Sequence, residues 1–134
     1  MSGGSQPGAG APTYGNRHQP REIRLKRDEK VLEVDFDDGA SFRLPAELLR
    51  VESPSADVQG HSAAQKQTVA GCRAVAISGL EAVGTYALRI RFDDGHDTGL
   101  YTWDYLYRLG AGQETIWQAY LDALAEKGLS RDRQ

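Results

Sequence analysis

The chain has 134 residues, 16 basic and 19 acidic side chains for a net charge of -3, and 40% hydrophobic residues, which suits one domain of ordinary size. Its single cysteine, Cys72, excludes an intramolecular disulfide and fits a reducing compartment, so a cytoplasmic location is expected. No apolar run approaches the ~20 residues that cross a bilayer, the N-terminus lacks the apolar segment of a secretory signal, and no basic stripe extends beyond residues 21–27, so neither membrane nor nucleic acid is expected as a partner.

Residues 1–20, MSGGSQPGAGAPTYGNRHQP, are rich in Gly, Ser, Pro and Gln. They cannot bury enough apolar surface to offset the entropy of ordering and read as a flexible tail. The domain is expected over 21–128. In REIRLKR (21–27), Ile23 and Leu25 alternate with charges, the pattern of a strand with one solvated face. Asp28–Lys30 break the pattern, and Leu32, Val34 and Phe36 restart it. Asp38-Gly39 then separates them from Phe42 and Leu44, a strong hairpin signal, for which a primed turn with positive φ is expected. Pro45 suits the first position of a short helix anchored by Leu48 and Leu49. Residues 52–71 are polar and read as a long surface loop.

A second strand-rich block follows. Cys72 opens it, Val75 and Ile77 alternate with alanines, and Gly79 and Gly84 suggest turns or a bulge. Tyr86, Leu88, Ile90 and Phe92 alternate cleanly, and after Asp94-Gly95 another strand runs toward Tyr101. Thr102 can cap a helix through Trp103, Leu106 and Tyr107, with Asp104 in its first turn and Gly110 as its stop. The alternation of Tyr101, Trp103, Tyr105 and Tyr107 also fits a strand; the punctuated ends favour the helix. Residues 110–112, GAG, link it to a last helix striped by Trp117, Tyr120, Leu121 and Leu124 and stopped by Gly128. Residues 129–134 are expected to fray.

Two segments share one plan. LEVDFDDGASFRLPAELLR from Leu32 and LRIRFDDGHDTGLYTWDYLYR from Leu88 each read strand, Phe-Asp-Asp-Gly, strand, short helix. Leu48 and Arg50 match Leu106 and Arg108 if the second copy carries two extra residues. The expected fold class is α+β: antiparallel β hairpins in a pseudo-repeated small domain, with short helices and a C-terminal helix. The repeat also bears on chemistry. Since Asp37-Asp38-Gly39 recurs at Asp93-Asp94-Gly95, the acids need no catalytic role beyond the turn. His96 is left over, and with Asp97, His61 and Cys72 it forms the candidate metal-ligating set. No nucleophile elbow surrounds Ser78, and the glycines at 71–79 and 110–112 lack the lysine and spacing of a phosphate loop. The aromatic run is the most suggestive surface feature. Helical spacing puts Trp103 and Tyr107 in the core. The alternative presents Tyr105 with its neighbours Trp103 and Tyr101 as a protein-contact patch.

The ordered markers, an early DDG, LPAELLR, the polar loop and RFDDGHDTGLYTWDYL, together resemble the gamma-butyrobetaine hydroxylase-like N-terminal domain family, also called DUF971, over residues 21–110. The resemblance implies a small, mostly β domain that, in gamma-butyrobetaine and trimethyllysine dioxygenases, precedes the catalytic barrel and holds a structural zinc through closely spaced cysteines and a distant histidine. The histidine matches His96. At the spacing of the cysteines this chain has Ser53, Ser55 and Val58, so the three soft ligands of a closed tetrahedral site are missing. The iron-binding residues of the oxygenases lie in the barrel, for which the chain has no room. Similar domains fused to Mrp-type P-loop iron–sulfur carriers imply an accessory role in iron or iron–sulfur metabolism. The expectation is therefore a non-enzymatic interaction module without a cofactor, its partner an iron–sulfur carrier or an oxygenase. The alternative is a small metal-binding domain that uses His96 to hold zinc or iron.

Overall fold

The computed structural model describes residues 16–133. Residues 1–15 of the expected tail lie outside the described residues. The chain forms two three-stranded antiparallel sheets, each followed by a helix. The first holds β1 (Pro20–Lys26), β2 (Val31–Phe36) and β3 (Ser41–Pro45), and leads into α1 (Ala46–Val51). The second holds β4 (Ile77–Val83), β5 (Ala87–Phe92) and β6 (Leu100–Thr102), and leads into α3 (Trp103–Ala111). Between them lie the short helix α2 (Ala56–Gln59) and a 3-10 turn at Ala63–Gln65; α4 (Gln113–Lys127) closes the chain. The α+β expectation of pseudo-repeated hairpins holds. Among the described residues no helix is long and apolar enough to cross a membrane.

The central strands carry the core. Leu32, Val34 and Phe36 of β2 and Leu88, Ile90 and Phe92 of β5 are all buried, the same alternating positions in both halves. Each such side chain removes apolar area worth roughly 1.5–3 kcal/mol from water. Leu44, Leu48, Leu49, Tyr101, Leu106 and Leu109 join them in one cluster, against which Tyr120 and Leu124 of α4 pack.

The repeat runs deeper than the sequence likeness. In the first half Pro20 pairs with Phe36 and Glu22 with Asp35; in the second Ile77 pairs with Phe92 and Gly79 with Arg91. Both outer strands thus bulge at the same rung, although β1 and β4 share no sequence signal. The offset between copies also differs from expectation. Leu44 lies opposite Leu32 and Tyr101 opposite Leu88, and the helices start at Ala46 and Trp103, so the second copy has one extra residue. Leu49 then matches Leu106 and Arg50 matches Tyr107, not Arg108.

The Asp-Gly corners are not primed turns. Gly39 and Gly95 both have φ 93, while neither preceding aspartate has positive φ. The Gly39 amide donates to Phe36 O (3.0 Å) and the Phe36 amide to Ala40 O (2.8 Å); Gly95 to Phe92 O (3.1 Å) and Phe92 to His96 O (3.0 Å) repeat the pattern. This is a three-residue loop in which both aspartates take ordinary backbone angles and only glycine turns left-handed.

Three further expectations change. Asn16–His18, assigned to the tail, bind α3: Asn16 Oδ1 accepts from the Asp104 amide, and Asp104 accepts from the His18 amide and sits 2.8 Å from its imidazole. The C-terminal residues are strapped down rather than frayed. Gly71 and Arg73 amides donate to Ser130 O and Arg131 O, both at 2.9 Å, and Arg131 forks onto the buried Glu47 carboxylate at 2.7 and 2.9 Å. Cys72 and Val75 precede the strand instead of opening it.

Gly110 lies inside α3 and does not end it. Its role is contact: a Cβ there would sit 2.2 Å from Phe42 Cγ, so the missing side chain lets the helix rest on that ring. Gly110→Ala is expected to cost about 1–3 kcal/mol in urea unfolding, because the ring or the helix must move to admit the methyl group.

Candidate functional site

The side chains with chemistry gather where the two halves meet. The second aspartate of each corner accepts from the amide two residues on: Asp38 Oδ1 from Ala40 (2.9 Å) and Asp94 Oδ1 from His96 (3.0 Å). The other oxygen is held from the opposite half. Tyr107 of α3 donates its hydroxyl to Asp38 Oδ2 at 2.7 Å, and Arg50 of α1 donates Nε to Asp94 Oδ2 at 2.8 Å. Arg50 and Tyr107 occupy equivalent helical positions, so the clamps are reciprocal. The Tyr107 hydroxyl and the Ala40 amide hold the Asp38 carboxyl below the usual range. Partial burial pushes Asp94 up, but the His96 amide and Arg50 outweigh it and hold Asp94 low as well.

His96 leaves the second corner and turns inward, its side chain only 7% exposed. Its Nε2 lies 2.8 Å from Ser53 Oγ and 3.4 Å from Ser55 Oγ, and the two hydroxyls are 3.1 Å apart. Its Nδ1 faces Asp57 Oδ2 at 3.7 Å. Burial pushes the imidazole pKa down and Arg50 adds to this; Asp57, Asp94 and Asp97 offset only part. The ring is therefore neutral at pH 7. A carboxylate at Nδ1 favours the proton there, which leaves Nε2 to accept from Ser53. Asp57 is itself held low, first by the Ser55 hydroxyl.

The long loop at 52–71 supplies half of this cluster. It was read as polar surface, yet Ser53, Ser55 and Val58 are buried, at 0, 6 and 2% exposure. The Ser55 carbonyl accepts from the Val58 amide and Gln59 Nε2 donates to Ser53 O, fixing the backbone around the serines. Gly99 completes the close approach: a Cβ on it would lie 2.5 Å from Ser53 Oγ. Sequence composition hides this anchor, because serines at a surface and serines in a buried hydrogen-bonded shell are written alike.

The other sequence candidates separate. His61 is exposed, with its amide on Gln65 Oε1, and Asp97 is exposed. Cys72 is buried, and that burial pushes its thiol up, away from thiolate. Among the described residues no three His, Cys, Asp or Glu side chains converge as metal ligands. Tyr101 is fully buried and its hydroxyl donates to Leu49 O; burial drives its pKa up. Trp103 is 7% exposed and donates Nε1 to Thr85 O at 2.8 Å. Both belong to the core cluster although β6 is an edge strand of its sheet, so neither presents a contact surface. Tyr105 alone of the three keeps exposed ring area. It sits under Arg108, whose guanidinium is 5.6 Å from the ring centroid. Burial and Glu52 push the Tyr105 hydroxyl up to about 12, and it donates to Glu52 O.

Beside Asp94 the surface opens into a cleft of about 730 Å3, lined by Arg50, Cys72, Asp93, Asp94, Ser130 and Arg133 among others. Asp93 uses Oδ1 to accept from the Ala76 amide at 3.1 Å. Thus both acids of the second Asp-Asp-Gly corner are bonded within the fold: Asp93 to the Ala76 amide, Asp94 to the turn and α1. The zinc that the family resemblance implies does not fit the donors present. One neutral imidazole nitrogen and two hydroxyls are not the thiolates that hold Zn2+ in a closed structural site, and Val58 has no donor atom.

Comparison with known proteins agrees with this architecture. The family model described as gamma-butyrobetaine hydroxylase-like, N-terminal, matches residues 23–107. A protein solved in solution by NMR is 45% identical, covering 87% of this chain and 92% of its own, with a TM-score of 0.77. A second NMR structure is 42% identical over 91% of each chain, with a TM-score of 0.76. A crystal structure of a DUF971-family protein with unknown function from Acidithiobacillus ferrooxidans is 44% identical, covering 69% of this chain and 93% of its own, with a TM-score of 0.59. No curated protein matches the chain.

The lowered pKa of His96 sets a pH dependence. Above its ordinary value of 6.5 the ring is neutral folded or unfolded, and the full stability is present. As pH falls through that value toward the lower folded one, the unfolded chain takes up a proton that the folded chain resists, and stability is lost. Thermal melting between about pH 7.5 and 5.5 is expected to show a steeper loss for the wild type than for His96→Gln, which cannot titrate there. Parallel slopes would refute the buried neutral ring.

Proposed function

Because the chain belongs to the gamma-butyrobetaine hydroxylase-like N-terminal family, DUF971, we propose that it is a non-enzymatic accessory module that docks on a protein partner, an iron–sulfur carrier or an oxygenase. The family match is to an N-terminal domain and not to a catalytic dioxygenase domain. One observation carries the non-enzymatic reading: the groups that could do chemistry are spent on structure. Asp38 and Asp94 each accept from a backbone amide and from a side chain of the opposite half, Asp93 accepts from the Ala76 amide, and His96 has Ser53 at one nitrogen and Asp57 facing the other. A general base must be free to reach a substrate proton. These would have to leave their partners first.

Docking is proposed at the outer face of α3. Tyr105 and Arg108 form an aromatic–guanidinium pair there, the guanidinium 5.6 Å from the ring centroid, and both residue types are enriched at protein contacts. Arg108 is exposed while the helix beneath it is anchored by Leu106 and Leu109, so the pair is presented on a rigid support. The iron–sulfur context rests on the company such domains keep in fused proteins.

Affinity capture of the full chain from its own cells is expected to enrich an iron–sulfur carrier or an oxygenase, with at least a ~10-fold loss for Arg108→Glu at unchanged melting temperature, the order of effect of a central interface arginine. Capture of neither class, or equal capture by the variant, would count against the proposal.

A further inference from the structure

We propose that Ser53, Ser55, Val58 and His96 are a metal-ligand shell converted into a metal-free hydrogen-bonded plug, one that three thiolates at the serine and valine positions would turn into a tetrahedral zinc site. The inference is independent of the docking reading. The family resemblance puts the cysteines of its zinc site at the positions of Ser53, Ser55 and Val58, and the structure folds the two serines onto the imidazole of a histidine more than forty residues away.

Distances show what the shell now holds. Nε2 of His96, Ser53 Oγ and Ser55 Oγ form a triangle with sides of 2.8, 3.4 and 3.1 Å. Ligands around a tetrahedral zinc with ordinary Zn–S and Zn–N bonds stand roughly 3.5–3.8 Å apart. The observed triangle is smaller throughout, as hydrogen bonding between its corners requires. Val58, the remaining position of that set, is apolar and 2% exposed. Charge is balanced without a cation: the ring is neutral, the hydroxyls are neutral, and Asp57 lies at the exposed rim, its side chain 68% exposed.

The scaffold nevertheless keeps a ligand shell's geometry. Gly99 leaves position 53 room to approach, since any Cβ there would meet Ser53 Oγ at 2.5 Å. The His96 backbone is pinned by Asp94, which orients the ring before any ligand arrives. Serine and cysteine are close in shape, and sulfur's longer bond to carbon and larger radius would widen the triangle toward the zinc value.

Zinc and cobalt titration of full-length protein tests this. The wild type is expected to hold substoichiometric zinc and to melt at the same temperature with and without a chelator. Ser53→Cys/Ser55→Cys/Val58→Cys is expected to bind one zinc per chain, at least about a thousandfold more tightly than wild type, and to give the visible absorption of tetrahedral thiolate-bound cobalt. Adding His96→Ala to it should weaken binding and alter that spectrum. If the triple variant does not fold alone, refolding by added zinc supports the proposal, and failure to refold overturns it. A folded triple variant that binds no better than wild type also overturns it, as does stoichiometric zinc in the wild type that His96→Ala removes.

Discussion

Each hairpin corner in this protein is held by the helix of the other half. Asp38 is gripped by Tyr107 and Asp94 by Arg50, at equivalent positions of α3 and α1. Neither half therefore satisfies its own corner carboxylate in full. The corner places its aspartate by backbone geometry alone, but the second carboxylate oxygen stays unpaired until the opposite helix arrives. The Arg50 side chain is 15% exposed and Asp94 30%, so this ion pair is better shielded than the exposed pairs worth roughly 0.2–1 kcal/mol. The crossing bonds tie the two small three-stranded sheets to each other's helices.

Around this frame the chain closes its own seams with polar contacts. Asp104 in the first turn of α3 receives amides from residues 17 and 18, and its neighbour Thr102 accepts from the Tyr105 amide. Tyr107 stacks on His18 at 3.6 Å between centroids, so one ring both grips Asp38 and seats the N-terminal strand. At the other end, Arg131 binds Glu47 and lies 5.2 Å from the centre of the Trp117 ring, fastening the C-terminal segment to α1 and α4. The same economy operates at His96. Ser53 and Ser55 join the 52–71 loop to the second corner through hydrogen bonds with the imidazole.

Much of the architecture could be read from residue order. Alternation at Leu32–Phe36 and Leu88–Phe92 fixes which face each central strand buries, because a slip of one residue would expose every apolar side chain. The caps at Thr102 and Gly128, the latter at φ 66, mark helix ends by local bonding and backbone freedom. The family likeness followed from ordered markers. What escaped was long-range. Gly110 looked like a helix stop because its reason for lacking a side chain, Phe42, is sixty-eight residues away in sequence. Tyr101 and Trp103 looked available for contact because an aromatic side chain carries no mark of which neighbours will cover it. Residues 129–133 looked loose because their partners, Gly71, Arg73 and Glu47, belong to distant segments.

Sequence alone determined the period of the strands, the positions of both glycine corners, the start of α3, the end of α4 and the family, since all of these depend on neighbours within a few residues or on their order. Only the tertiary structure decided that the two acids are clamped across the halves, that the copies differ by one residue instead of two, and that Ser53 and Ser55 close on His96. Those outcomes require segments far apart in the chain to meet, and the free energy of their meeting resides in pairs that no local pattern encodes.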